Sequence, residues 1–195
     1  MLSSKNLFVI LITINICLLT KHYSCLDCVI NSKEYPFEFL YNSNTGNSLK
    51  NPLKLNIFTK PISQIENYDT IKWILIQYGN GTSYLKNKNS DEYLCANNSF
   101  FGSKNNRQIL TTDKSKKYDC LWNIELAESF KKSYLEEEKN YFLWNVKYNR
   151  KIYAPSFLFK YNRFHRNVFL WHKSGSSSDE FKWNIECSNG KLMTK

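Results

Sequence analysis

The chain repeats itself three times, and no other feature of the sequence constrains its fold as tightly. The second copy reads YLKNKNSDEYLCAN, RQILTT, YDCLWNIE, and the third reads FLWNVKYNRKIYAP, RNVFLW, DEFKWNIE. A more divergent first copy reads CVINSKEYPFEFLY, LKLNIFT, YDTIKWILI. In this alignment Asn31, Asn87 and Asn145 share one position, and Trp73, Trp122 and Trp183 share another. The Asn-to-Trp separations are 42, 35 and 38 residues, and the two connectors are 14 and 23. A unit of about fifty residues buries too little apolar surface alone, so the copies must share one core.

Within each unit, short segments rich in Val, Ile, Phe, Tyr and Trp alternate with clusters of Asn, Ser, Gly and Lys. That is the pattern of strands and turns, with room for about four strands per unit. Leu126 to Asn140 departs from it, because Ala127, Phe130, Tyr134 and Leu135 fall near helical spacing and the run Glu136, Glu137, Glu138 ends the stretch. The spacing predicts a short, solvated helical insert between repeats two and three.

Three such units, each closing on a Trp, resemble the β-trefoil superfamily over nearly the whole chain after residue 25. The resemblance implies an all-β fold, a β-trefoil of three pseudo-repeats at about 28–76, 83–125 and 141–187, in a single domain of residues 26–195. Families of this architecture include ricin-type lectins, fibroblast-growth-factor-like cytokines, Kunitz-type plant protease inhibitors and small secreted insect proteins, to which this chain is similar in scale. Ricin-type units carry Gln-x-Trp, whereas here Ile71, Cys120 and Phe181 stand two residues before each Trp. The likeness therefore extends to architecture and not to that sugar motif. Trp73, Trp122 and Trp183, with Ile74, Ile124 and Ile185, are expected in the core, since residues recurring in every unit beside alternating aliphatics serve the fold.

The start of the chain speaks for export. Lys5 precedes the apolar stretch Leu7 to Thr20, which Lys21, His22 and Ser24 close. This pattern reads as a secretory leader over residues 1–25, whose apolar stretch of 14 residues is too short to span a bilayer, which takes about 20. Its removal takes away Lys5 and Lys21, leaving 25 basic against 17 acidic residues, or +8. Cys25-Leu26-Asp27-Cys28 has redox-motif spacing but lacks the strand-helix setting of a thiol oxidoreductase. The repeat register instead pairs Cys95 with Cys120 inside unit two. A closed trefoil brings its ends together and so pairs Cys28 with Cys187, a bridge worth on the order of 4 to 5 kcal/mol in the chain-entropy account. Asn80-Gly81-Thr82 and Asn97-Asn98-Ser99 are glycosylation sequons.

Catalytic chemistry finds little to work with. Of three His, His165 and His172 survive processing, at a separation unsuited to zinc and with no Gly-flanked Ser nearby. Asp179 and Glu180 are adjacent and point to opposite sides of an extended chain. The reading is a non-enzyme without metal or cofactor. The charge is more informative: residues 140–175 contain no acid but hold Lys147, Arg150, Lys151, Lys160, Arg163, Arg166 and Lys173, interleaved with rings. Arg150, Lys151, Lys160, Arg163, His165, Arg166 and Trp171 are therefore the candidate site for an anionic glycan or an acidic protein surface. There Arg forks would grip oxyanions and protonated His165 would add to them below about pH 6.5. Nucleic acid is not among the expected partners, and a monomer is expected. Two further classes stay open: a Kunitz-type inhibitor using the loops Lys86 to Ser90 or Asp113 to Lys117, and a carrier of lipids or odorants.

Overall fold

Side-chain alternation turns each repeat into strands. In the computed structural model, which describes residues 24–43, 57–78, 80–101, 107–131, 137–155, 160–162, 165–172, 178–188 and 192, unit one supplies β1 (Ser24–Ser32), β2 (Glu38–Asn42), β3 (Ile57–Pro61) and β4 (Lys72–Gln77). Unit two supplies β5 (Thr82–Asn87), β6 (Tyr93–Phe101), β7 (Arg107–Asp113) and β8 (Trp122–Lys131). Unit three supplies β9 (Glu137–Asn145), β10 (Arg150–Tyr153), β11 (Lys160–Asn162), β12 (His165–Asn167), β13 (Phe169–His172) and β14 (Trp183–Cys187). The leader assigned to residues 1–25 lies outside the described residues save its last two, which open β1. Among the described residues no helix is long and apolar enough to cross a membrane.

The outer strands of the units close a ring, β1 to β4 to β5 to β8 to β9 to β14 and back to β1, every pair antiparallel. This six-stranded barrel leaves no edge among its own members. Hairpins β2–β3, β6–β7 and β10–β13 cap one end, and β12 and β13 dock this cap onto β3 and β7. The chain has the threefold architecture of a β-trefoil.

The three Trp form the centre, each with no solvent exposure. An indole N–H shut away from water needs an acceptor. In every unit it donates to a carbonyl of the capping hairpin: Trp73 Nε1 to Leu40 O at 3.0 Å, Trp122 to Leu94 O at 2.9 Å and Trp183 to Ile152 O at 3.2 Å. One bond repeated three times thus ties barrel to cap. Two residues beyond each Trp, Leu75, Ile124 and Ile185 also turn inward. Leu75 therefore holds the place expected of Ile74, which lies on the outer, half-exposed side of β4 as the period of two requires.

The position facing each Trp across the next strand is Asn87, Asn145 and, in unit one, Ser32 rather than Asn31. Asn87 Oδ1 accepts from Ser90 N, Asn145 Oδ1 from Tyr148 N and Ser32 Oγ from Tyr35 N, each three residues ahead. The following amides, of Lys33, Lys88 and Val146, each donate at 2.9 Å to the chain just before the Trp that closes a unit. Asn31 instead donates to Pro36 O. The four-residue turns after Asn87 and Asn145 put Asp91 and Asn149 at φ of 60° and 51°. Asp and Asn tolerate this left-handed region, whereas Pro36 is locked out of it, and the first turn takes another course.

Both disulfides form as the register requires, Cys28–Cys187 and Cys95–Cys120. The first joins directly paired residues of β1 and β14 and so pins the seam between the chain's first and last strands. Cys28 is thereby removed from any dithiol with Cys25. The second joins β6 to the 3-10 turn Tyr118–Cys120. The equivalent positions in unit three are Tyr153 and Phe181, whose rings stack with centroids 5.2 Å apart.

Among the described residues the helical insert expected between repeats two and three is not found. Strands β8 and β9 run on past the barrel as a hairpin arm, paired from Glu128 with Asn140 to Lys131 with Glu137; residues 132–136, with Tyr134 and Leu135, lie outside the described residues. A bulge at Ala127 shifts the alternation by one residue, and Ala127 and Phe130 stand three apart on an extended strand. Lys33 and Lys182 each reach both Glu128 and Asp179, fastening the arm to the 3-10 turn before β14. Replacing Trp122 by Ala should lower stability by about 3 to 5 kcal/mol through cavity formation and the orphaned Leu94 carbonyl, read as a fall in guanidinium midpoint at unchanged slope.

Candidate functional site

The cations of unit three divide into two kinds. Arg166 is 4% exposed and committed: Nε and Nη2 donate to the two oxygens of Glu38 at 2.8 and 2.9 Å, and Nη1 donates to Pro155 O at 2.8 Å. Its guanidinium carbon lies 3.3 Å from the centre of the Tyr35 ring. The side chain is a buried fork joining units one and three. Lys151 is 7% exposed, with Nζ 3.3 Å from the Phe142 centroid and 4.6 Å from that of Trp144. It stands where unit two has Tyr93, because each precedes the residue whose carbonyl receives the indole proton.

Arg150 is half-buried, its guanidinium 5.1 Å from the Phe100 ring of unit two. Trp171 is half-buried against Tyr153, with centroids 5.4 Å apart. Lys160 lies on β11, directly opposite Arg166 on β12. Arg163 falls outside the described residues. His165 is wedged beside Phe58 and Tyr41, at centroid distances of 5.5 and 5.9 Å. Burial, aided by Lys60, pushes its pKa below the ordinary value. The ring therefore stays neutral to lower pH than a free imidazole and does not gain charge at the pH expected from sequence. The structure brings Arg150 and Trp171 onto neighbouring strands, and turns Lys151 and Arg166 inward.

Unit two carries a cluster that the sequence reading passed over. Tyr78, beyond β4, Tyr84 on β5 and Tyr93 on β6 pack edge to face, with successive centroids 5.7 Å apart. Burial, then Tyr78, holds the Tyr84 hydroxyl above the usual phenol range. Exposed Lys116 places Nζ 5.5 Å from the Tyr84 centroid and 5.9 Å from those of Tyr78 and Tyr93, and donates to Tyr78 Oη at 3.3 Å. The loop bearing it is braced. Asp113 Oδ1 accepts from Ser115 N at 2.8 Å and from Ser115 Oγ at 2.6 Å, and its other oxygen takes Lys117 Nζ. Its sequence signal is Tyr84 and Lys86 on the outward positions of β5.

Cys95, Cys120 and Asp119 lie together, yet the two sulfurs are bonded to each other and offer no thiolate to a metal. A cavity of about 420 Å³ over the barrel seam is lined by Asp27, Lys72, Lys88 and Glu186 beside the Cys28–Cys187 bridge. Lys88 and Asp27 face each other across it at 3.6 Å. Asn80, a sequon residue, is exposed in the β4–β5 turn and its Oδ1 accepts from Thr82 N and Oγ1. Asn97, the other, is half-buried on β6.

No family model matches the sequence, and no curated protein matches it either. Solved structures do. A designed threefold-symmetric protein, ThreeFoil, is 15% identical with a TM-score of 0.56, over 83% of this chain and 96% of that one. The SDF2-like protein from Arabidopsis thaliana is 11% identical with a TM-score of 0.63, over 90% and 98%. A ricin B-like lectin from Macrolepiota procera, in complex with lactose, is 12% identical with a TM-score of 0.53, over 84% and 94%. At such identities the likeness is one of fold: the chain has the β-trefoil fold.

Two measurements check the electrostatics. Replacing Arg166 by Gln leaves the partly buried Glu38 carboxylate with the Thr59 hydroxyl but without its guanidinium and should cost about 3 kcal/mol, with a matching fall in melting temperature. Three donors hold the Asp113 carboxyl down at about 2. A depressed acid adds stability above its unfolded pKa, and the contribution fades as pH falls through the folded value. The 113–117 loop should therefore keep its NMR shifts to below pH 3, and Ser115→Ala should move the Asp113 titration upward.

Proposed function

We propose that this is a secreted, non-enzymatic binding protein that recognises an anionic ligand, a sulfated glycan or an acidic protein surface, with a basic site on unit three. The observation that carries this reading is the acid-free run from residue 140 to 175, in which seven cations fall. With Lys151 and Arg166 turned inward, the candidate cations that remain for this reading are Arg150, Lys160 and Arg163. Trp171, on the strand paired with that of Arg150, and a neutral His165 complete the proposed set. The lactose-bound lectin supports the use of this fold for saccharide binding.

Export is supported by the leader pattern and by two disulfides, which persist in oxidising compartments. Asn80 is the better glycan acceptor of the two sequons, being exposed in a turn. The protein acts as a monomer. Inhibition of a trypsin-like protease is the second reading, favoured by the braced loop Asp113 to Lys117 with exposed Lys114 at its tip. A binding loop that is rigid beforehand loses less entropy on docking.

The test is retention on an immobilised sulfated polysaccharide across a salt gradient, alongside titration against trypsin. The parent should elute late and earlier with rising ionic strength. Replacing Arg150, Lys160 and Arg163 together by Gln should leave the melting temperature within a few degrees and shift elution to markedly lower salt. Equal elution of parent and variant removes the unit-three site. Stoichiometric trypsin inhibition without retention selects the second reading.

A further inference from the structure

The tyrosine cluster of unit two has counterparts in the other units, and the comparison shows what is particular to it. Counting back from the residues that face the three Trp, Tyr84 corresponds to Phe142 in unit three and to Val29 in unit one. Tyr93 corresponds to Lys151 and Phe39. In unit three the cation therefore lies on the strand and is buried under Phe142 and Trp144. In unit two the rings come from the barrel and cap, and the cation comes from outside, on the loop after β7. The same aromatic and ammonium chemistry is inward in one unit and presented to solvent in the other.

Lys116 differs from its neighbours in what holds it. Lys86 pairs with Asp91 and Lys117 with Asp113. Among the described residues no carboxylate pairs with Lys116, which is held by three ring faces and edges and by the Tyr78 hydroxyl. An exposed lysine normally samples many rotamers, and fixing it for a ligand costs entropy. Here the cost is met in the folded state, by the rings on one side and by the Asp113 brace on the other. The Cys95–Cys120 bridge anchors both ends of the arrangement: Cys95 lies two residues beyond Tyr93 and Cys120 four beyond Lys116. One ammonium proton goes to Tyr78, and Lys116 is exposed on the loop, as is Lys114 two residues before it.

A fixed, uncompensated ammonium set against half-exposed phenol rings has two kinds of complement at once. An oxyanion accepts from the ammonium, and an apolar ring face covers the exposed parts of Tyr78 and Tyr84. A pyranose bearing a sulfate offers both, its axial C–H face for the rings and its oxyanion for Lys116. A free cation is a poor occupant, because Lys116 already fills that place and the chain carries net positive charge. We infer that Tyr78, Tyr84, Tyr93 and Lys116 form a second ligand site, on unit two, for a sulfated saccharide unit, with Lys114 as a flanking cation. This rests on the anionic-ligand reading and adds to it a site distinct from the unit-three cations.

The experiment is calorimetric titration of the full chain with a sulfated disaccharide and with its unsulfated parent. The sulfated sugar should bind and the parent sugar should not. Lys116→Gln should weaken binding by about tenfold or more, the worth of a hydrogen bond to a charged group. Lys116→Arg, which keeps the charge and stacks on rings, should retain binding within about threefold. Tyr78→Phe, which keeps the ring and removes the hydroxyl that positions the ammonium, should fall between the two. Lys139→Gln on the hairpin arm removes one charge elsewhere and should leave affinity unchanged. If Lys116→Gln binds as the parent does, or if it weakens binding no more than Lys139→Gln does, the unit-two site is overturned while the anionic reading stands. A parent that ignores the disaccharide but is retained on the polysaccharide likewise overturns the unit-two site alone. A parent that binds neither overturns both.

Discussion

Three indole N–H groups shut inside one barrel set the terms for the rest of the molecule. Each Trp fills space that aliphatic side chains would leave open, and each brings a donor that cannot be left without an acceptor in that interior. The acceptors are carbonyls of the capping hairpins, Leu40, Leu94 and Ile152. A hairpin that slipped by one residue would present no carbonyl there and would turn every side chain to the wrong face. The same bond therefore fixes cap register, barrel contents and the threefold relation among the units. The residues facing the Trp, Ser32, Asn87 and Asn145, extend the constraint into the turns, where each side chain caps an amide three residues ahead.

Outside that shell the units are free to differ, and they solve one packing problem in different ways. The pair one residue beyond the carbonyl and two before the Trp is a disulfide in unit two, Cys95–Cys120, and a ring stack in unit three, Tyr153 on Phe181. Either brings a cap strand against the 3-10 turn that precedes the closing strand. The covalent link makes unit two the firmest place to mount an exposed loop, and the braced loop Asp113 to Lys117 is mounted there.

Charge follows the same division. Seven cations crowd residues 140–175, and at least two of them serve the fold: Arg166 pairs with Glu38 across units one and three, and Lys151 lies under rings. A planar guanidinium with five donors suits such a buried fork, since it can meet both carboxylate oxygens and a carbonyl together. Sign and number of charges in a segment thus say little about surface potential until burial is known. Lys116, in the lysine-rich loop Asp113 to Lys117, is a cation that the fold sets out in solvent on a braced support.

The sequence by itself determined the threefold repeat, the all-β character and the identity of the core Trp, because each of these is written in residue type and spacing along the chain; the pairing of Cys28 with Cys187 came through the resemblance to a closed trefoil. Period-two alternation and recurrence survive without knowing what packs against what. It misplaced what depends on a single residue of register: Asn31 for Ser32, Ile74 for Leu75, and a helix in place of the arm, where the bulge at Ala127 breaks the period. Only the tertiary structure decided which cations face water. Lys151 and Lys116 both meet aromatic rings, and they differ because one is buried on a cap strand while the other sits exposed on a loop outside it. That distinction lies in the pairing of strands far apart in the chain, such as β12 with β3, which no local pattern records.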